Sequence, residues 1–114
     1  MELKYMKNIP GEEVLELANL VEAAPGQVVS RTLAQNDHVS ITLFAFDKGE
    51  EISTHASGGD AMVTVLEGTG RFTVDGVPHL ASKGQCLVMP AGKPHAVFAQ
   101  ERFKMLLVVV FPEE

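Results

Sequence analysis

Two histidines in the middle of the chain have the side chains and the surroundings that could do chemistry. His55 lies in the block GEEISTHASGGDAMVTVLEG (49–68), where five residues separate it from the first glycine. His95 ends the block GQCLVMPAGKPH (84–95), directly after Pro94. Because a residue before proline is pushed toward extended geometry, Lys93 stays out of a helix and His95 should enter a strand. A neutral imidazole is the commonest protein ligand for Zn, Fe, Ni and Cu, so these residues are candidate metal ligands.

The two blocks, separated by 15 residues, resemble the two-motif signature of the cupin superfamily. The resemblance covers about Val28 to Phe111 and implies an all-β double-sheet jelly-roll barrel, with little helix near the N-terminus. In that family the motif histidines point into the barrel and bind a divalent metal. His55 and His95 match two of the family's ligand positions. The first motif is degenerate, because Ser57 stands where the family has a second histidine and Met62 where it has a glutamate.

Three further residues near the first motif bear on a metal site. The hydroxyl of Ser57 is a poor ligand at pH 7, and the thioether of Met62 suits Cu(I) better than Fe(II) or Mn(II). Asp60 offers the only carboxylate beside the motif, either as a third donor or as a solvated turn residue. One interpretation is that His55 and His95 hold one divalent transition metal (Zn, Ni, Fe or Mn). The alternative is a pair of hydrogen-bonded barrel histidines in a scaffold without metal.

An apolar cavity around the two histidines is the second expectation from the barrel. Its predicted lining consists of apolar and small side chains on the central strands: Phe44, Phe46, Thr64, Leu66, Met89 and Phe98. Met62 is expected on the same face. This lining predicts a cupin that binds a small organic ligand. A metal-dependent dioxygenase-like or isomerase-like enzyme is one alternative, and a structural or regulatory dimer module is another, because one fold hosts many activities.

The remaining histidines and the cysteine receive structural interpretations. His79 shares an apolar face with Phe72 and is expected to be a hydrogen-bonded core or interface residue. His38 lies in a turn and is expected to be exposed. Cys86, next to apolar neighbours on a strand, is expected to be a small buried hydrophobe.

Short β-strands between turns dominate the predicted elements from Val28 onward. Asp75-Gly76 is typical of a two-residue type I′ hairpin that pairs Val74 with Val77. Residues 1–27 are predicted to be a segment that packs on the barrel formed by residues 28–114. Within this segment, residues 14–22 fit either a short helix or a strand.

The last predicted strand, Phe103 to Phe111, is apolar at eight of its nine positions, so both of its faces must be covered. We expect the cover to be a second subunit of a C2 homodimer. The alternative is that residues 14–21 lie across this face.

Size and composition exclude several classes of function. A chain of 114 residues can bury one core, and its single cysteine excludes an internal disulfide. The net charge of −6, without a Lys/Arg cluster, opposes nucleic-acid binding. No apolar stretch is long enough for a membrane helix, and no signal peptide is recognisable, so a cytoplasmic protein is expected.

Overall fold

The computed structural model describes residues 3–112 of the chain. Over this range the chain forms one turn of 3₁₀ helix, Leu17–Leu20, and nine β-strands. The strands, in chain order, are β1 (Val28–Gln35), β2 (Val39–Phe46), β3 (Glu51–His55), β4 (Asp60–Glu67), β5 (Thr69–Val74), β6 (Val77–Ser82), β7 (Cys86–Met89), β8 (His95–Ala99) and β9 (Phe103–Val110). Within the described range, no helix is long and apolar enough to cross a membrane.

The strands form two antiparallel sheets that pack face to face. The five-stranded sheet has the order β1-β2-β9-β4-β7, and the four-stranded sheet has the order β3-β8-β5-β6. The inward side chains of both sheets form one continuous core, as expected for a double-sheet jelly roll. The all-β barrel predicted from the sequence is confirmed.

Strand β4 shows which side chains face the interior. Ala61, Val63 and Val65 are at most 2% exposed, whereas the intervening Met62 is 40% exposed. Side chains alternate between the two faces of a strand, so positions 60, 62, 64 and 66 all face outward. The outward set still includes the apolar Met62 and Leu66, which is why the sequence alone does not identify the inner face.

The Asp75-Gly76 hairpin between β5 and β6 has the predicted geometry. Both residues have positive φ, 50° for Asp75 and 81° for Gly76, as a type I′ turn requires. Val74 pairs with Val77, and Phe72 pairs with His79. The turn therefore sets the register of this edge of the barrel.

An aromatic plug closes one end of the barrel. The rings of Phe46 and Phe103 stack with their centroids 4.5 Å apart, and Phe72 meets Phe103 edge to face at 6.0 Å. Gly70 provides the space for this packing, because a Cβ atom there would lie 2.8 Å from ring carbons of Phe103. These three rings thus fill the barrel interior at the Phe103 end of β9.

The N-terminal segment packs on the outer face of the five-stranded sheet. Residues 14–22, for which helix and strand were both open, contain the 3₁₀ turn and then continue as extended chain. Val21 is buried against Leu43 and Ala45, and Leu106 of β9 packs against the same cluster. The ammonium of Lys104 donates a 2.7 Å hydrogen bond to the carbonyl of residue 18.

The N-terminal segment therefore covers part of the apolar face of β9, as the alternative to a second subunit requires. Farther along this sheet face, Met62, Val88 and Val110 are exposed. The outermost residues of the two predicted segments, 1–2 and 113–114, lie outside the described residues.

The prediction that Cys86 is buried is wrong, and so is the assignment of His79 to the core. Cys86 is exposed, because β7 is an edge strand whose inward positions are Leu87 and Met89. His79 is exposed on β6, the edge strand of the other sheet, so it is not a core residue, while its role as an interface residue stays a prediction. His38 is exposed as predicted, in a turn where its backbone N–H donates to the Asn36 side chain.

Candidate functional site

A cavity of about 370 Å³ lies between the two sheets, at the end opposite the aromatic plug. Its walls are mainly apolar side chains from both sheets: Phe44, Ile52, Ala61, Val97, Leu107 and Val109. The thioethers of Met89 and Met105 also line it, together with polar groups from His55, Ser57 and His95. The cavity therefore combines an apolar interior with a small group of polar atoms, as ligand sites commonly do.

The polar group is built around the two histidines, which are cross-strand partners on β3 and β8. Their ring centroids are 4.3 Å apart, with the rings inclined at 67°. His95 is buried, whereas His55 is largely exposed. The β3 register shifts between Ile52 and His55, and this irregularity places His55 opposite His95.

Backbone carbonyls fix the tautomer of both rings. Nδ1 of His55 lies 2.9 Å from the carbonyl oxygen of Ser53, and Nδ1 of His95 lies 3.1 Å from that of Lys93. A carbonyl oxygen only accepts, so each Nδ1 carries the proton and donates it. In the neutral rings, each Nε2 then keeps a free lone pair, which can accept a hydrogen bond or bind a metal.

Electrostatics keeps His95 neutral near pH 7. Burial lowers the pKa of His95, the hydrogen bond to the Lys93 carbonyl raises it, and the charge on a protonated His55 lowers it further. Burial is the largest of these effects, so the pKa lies below its usual value of 6.5. His95 is therefore an acceptor rather than a cation under ordinary conditions.

The loop between β7 and β8 holds the mouth of the cavity together. The N–H of Gly92 donates to the carbonyl of Ser57 at 3.0 Å, and the N–H of Ala91 donates to Oδ1 of Asp60 at 2.8 Å. Gly92 has a φ of 77°, a conformation that costs glycine little. These bonds tie the segment that follows His55 to the loop that leads into His95.

The structure places the other predicted metal donors away from the histidines or in other interactions. Met62 is 40% exposed on the outer face of β4, so its side chain does not face the two histidines. Asp60 also lies on the outer face and accepts the hydrogen bond that stabilises the loop. Ser57 does line the cavity, but its hydroxyl accepts a 3.2 Å hydrogen bond from the N–H of Gly59.

The described side chains do not fit the four-donor centre that the motif resemblance implies. Across residues 3–112, no group of three or more His, Cys, Asp or Glu side chains is arranged to hold a metal ion. Two imidazoles remain, without a carboxylate to balance the charge of a divalent ion.

The structure places only part of the predicted lining at the cavity, and the alternation of side chains along strands explains most of the difference. Phe44 and Met89 line the cavity, whereas Thr64 and Leu66 lie on the outer face of β4. Phe46 is inside but belongs to the aromatic plug. Phe98 lies on the outer face of β8, beneath the guanidinium of Arg71 at 4.6 Å.

The sequence reasoning missed seven apolar lining residues: Ile52, Ala56, Ala61, Val97, Met105, Leu107 and Val109. One signal was present in the sequence. With His95 facing inward, the alternation places Val97 inside and position 98 outside.

The fold and the site together define a class, the double-sheet β-barrels with inward histidines at one end. The chain belongs to the cupin domain family, because the model of that family matches residues 42–111. This membership confirms the resemblance found in the two motifs.

Several solved structures are similar to this chain. A conserved protein of unknown function from Streptococcus pyogenes is 48% identical, with a TM-score of 0.95, and the match covers 98% of each chain. A cupin superfamily protein from Desulfitobacterium hafniense is 38% identical, with a TM-score of 0.90, over 96% of this chain and 100% of that one. Salicylate 1,2-dioxygenase from Pseudoaminobacter salicylatoxidans is 20% identical, with a TM-score of 0.68, over 76% of this chain and 25% of that one, and shares the fold alone. No curated protein has significant similarity to the chain.

Proposed function

We propose that the barrel cavity binds a small, mainly apolar organic molecule through a hydroxyl or N–H group that donates to His55 and His95. The observation that carries this proposal is the pair of Nδ1–H tautomers, which leaves two acceptor Nε2 atoms at the mouth of an apolar cavity. A ligand that brings donors satisfies both rings. A ligand that brings only acceptors leaves them unpaired, at a cost in binding free energy.

The size and lining of the cavity narrow the ligand class. A volume of about 370 Å³ is near the lower end of the range for small-molecule sites. The walls offer few polar partners for a polyhydroxylated sugar. The lining also has no cationic side chain that could pair with the carboxylate of a ligand. A single-ring phenol satisfies both conditions, because its ring fits the apolar walls and its hydroxyl donates to an imidazole.

The two-histidine donor set gives no specific support to the dioxygenase-like or isomerase-like alternative. An open catalytic metal site normally keeps about three protein ligands. Here the family's second histidine and glutamate positions are occupied by Ser57 and Met62, and Met62 faces away from the cavity. Ligand binding therefore remains the function that this geometry supports best.

Thermal unfolding with matched ligands tests the proposal. Phenols and the corresponding methyl ethers are compared in the presence of a chelator, so that metal binding does not contribute. We expect phenols to raise the melting temperature more than their ethers do, because only phenols donate a hydrogen bond. A His55→Ala/His95→Ala variant should lose this difference, and a His38→Ala/His79→Ala variant should keep it. Equal stabilisation by ethers and phenols would contradict the role of the histidines.

We also propose that two copies of the chain form a C2 homodimer through the uncovered part of the five-stranded sheet. The exposed side chains of Met62 and Val88 are cross-strand partners on its outer face, and Val110 extends the same apolar surface. None of these side chains carries a charge, so two copies can pair here despite the net charge of −6.

Sedimentation measurements test the dimer with matched surface variants. Met62→Lys places a charge in the proposed interface and should give a monomer. Leu80→Lys is the control, since Leu80 is 63% exposed on β6 of the other sheet. A wild-type protein that sediments as a monomer at micromolar concentration would refute this assembly.

A further inference from the structure

We infer that the same cavity is a Cu(I) site formed by Nε2 of His55, Nε2 of His95 and the thioether sulfur of Met89. This inference uses the histidines of the proposed organic-ligand site but concerns a different ligand. It starts from the disagreement described above, between the family's divalent metal centre and the donors that this chain retains.

The cavity contains soft donors where a divalent centre would need hard ones. Its lining includes two histidines and two methionines but no carboxylate. Thioethers select Cu(I), and imidazole also suits copper, whereas Mn(II) and other hard ions prefer oxygen ligands. The charge argument agrees, since burying an ion costs more as its charge rises, and no anionic side chain lines this cavity. A monovalent soft ion fits this environment better than a divalent one.

Strand register places Met89 at the histidine end of the cavity. Val109, Ala61 and Met89 form one row across β9, β4 and β7. This row lies at the end of β9 opposite Phe103, and therefore opposite the aromatic plug. Ala61 lies next to Met89 in this row. Its small side chain leaves space for the longer side chain of Met89.

The loop after β7 leads from Met89 to His95 and is hydrogen-bonded to the segment that follows His55. Met89 is 2% exposed and immediately precedes this loop, which runs to His95 and bonds through Gly92 to the segment after His55. The carbonyl bonds at each Nδ1 orient the two rings and raise their basicity as ligands. All three donors therefore belong to one braced region of the cavity.

The second cavity methionine lies deeper. Met105 pairs with Phe44 and Val65, four residues from Val109 along β9. At a rise of about 3.4 Å per residue, this corresponds to roughly 13 Å along the strand. The geometry therefore assigns the thioether ligand to Met89 rather than to Met105.

Competition between the metal-free protein and a coloured Cu(I) chelator, under anaerobic conditions, tests the inference. Because the exposed thiol of Cys86 is itself a Cu(I) ligand, all proteins compared carry Cys86→Ser. A parallel titration with Zn(II) reports the imidazoles without a strong contribution from the thioether. Circular dichroism and the melting temperature verify that each variant is folded.

We expect Met89→Leu to weaken Cu(I) binding by about tenfold or more while Zn(II) binding stays unchanged. Met62→Leu, which alters the exposed methionine on the outer face, should bind Cu(I) like the parent protein. His55→Ala/His95→Ala should lose Cu(I) binding.

Unchanged Cu(I) affinity in Met89→Leu, or an equal loss in Met105→Leu, would overturn the assignment. Absence of Cu(I) binding in the parent protein would overturn the site as a whole. Neither result bears on phenol binding, which is measured separately in the presence of chelator. The two proposals can therefore fail independently.

Discussion

Replacement of Phe103 by alanine should test the aromatic plug that closes the barrel. Phe103 is 1% exposed, stacks on Phe46 and meets Phe72 edge to face. Removing a fully buried phenylalanine side chain typically costs about 3–5 kcal/mol, which combines lost transfer free energy with the cavity left behind. Each aromatic pair adds about 0.5–1.5 kcal/mol beyond burial, so the upper part of that range is expected.

The expected loss of free energy is a large fraction of the stability of a small domain. Small domains unfold with a free energy of about 5–15 kcal/mol, so Phe103→Ala should fold but with much of its stability lost. Urea unfolding at equilibrium, followed by circular dichroism, measures the difference directly. Phe103→Leu keeps more of the volume and should lie between alanine and wild type.

Phe98→Ala is the matched control for a phenylalanine on the outer face. Its ring is partly exposed beneath Arg71, so its removal should cost clearly less than the removal of Phe103. A loss of less than about 1 kcal/mol for Phe103→Ala, or equal losses at the two positions, would refute the plug as a main source of stability.

Two further predictions concern polar contacts that link distant parts of the chain. The Gly26 N–H, followed by the side chain of Arg102, lowers the pKa of Asp47 from 3.8 to about 2, so the stability from this carboxylate is present above about pH 4 and is lost as the pH falls toward 2. Asp47→Asn should flatten this loss in urea midpoints measured from pH 2 to 5, and parallel profiles would contradict the assignment. Lys104→Met removes the donor to the carbonyl of Ala18, so we expect faster hydrogen exchange in residues 17–22 while the strands stay protected; unchanged exchange there would show that the apolar contacts alone hold the segment.

The sequence predicted the barrel well because its signals are local. Asp75-Gly76 fixes a turn that few other dipeptides form, and the glycine and proline spacing around His55 and His95 identifies the two motifs. The histidines lie together because their motif positions are cross-strand partners in the fold. These features depend on backbone geometry and register, which short stretches of sequence encode.

The inner and outer faces were harder to assign because β4 carries apolar side chains on both faces, with Met62 and Leu66 on the outer one. The period of two groups Met62 with Thr64, but it does not say which group meets the opposite sheet. Packing decides this, since the N-terminal segment covers one end of the outer face and makes apolar residues there favourable. The exposure of Cys86 likewise follows from the edge position of β7, which no local pattern reveals.

The aromatic plug has a kinetic consequence for any guest of the cavity. Phe46, Phe72 and Phe103 fill one end of the barrel. A ligand of the cavity would therefore enter and leave at the other end, where the exposed His55 lies. A larger side chain at Ala56, which is exposed and lines the cavity next to His55, would slow association and dissociation together. Occupancy at equilibrium would then change less than residence time.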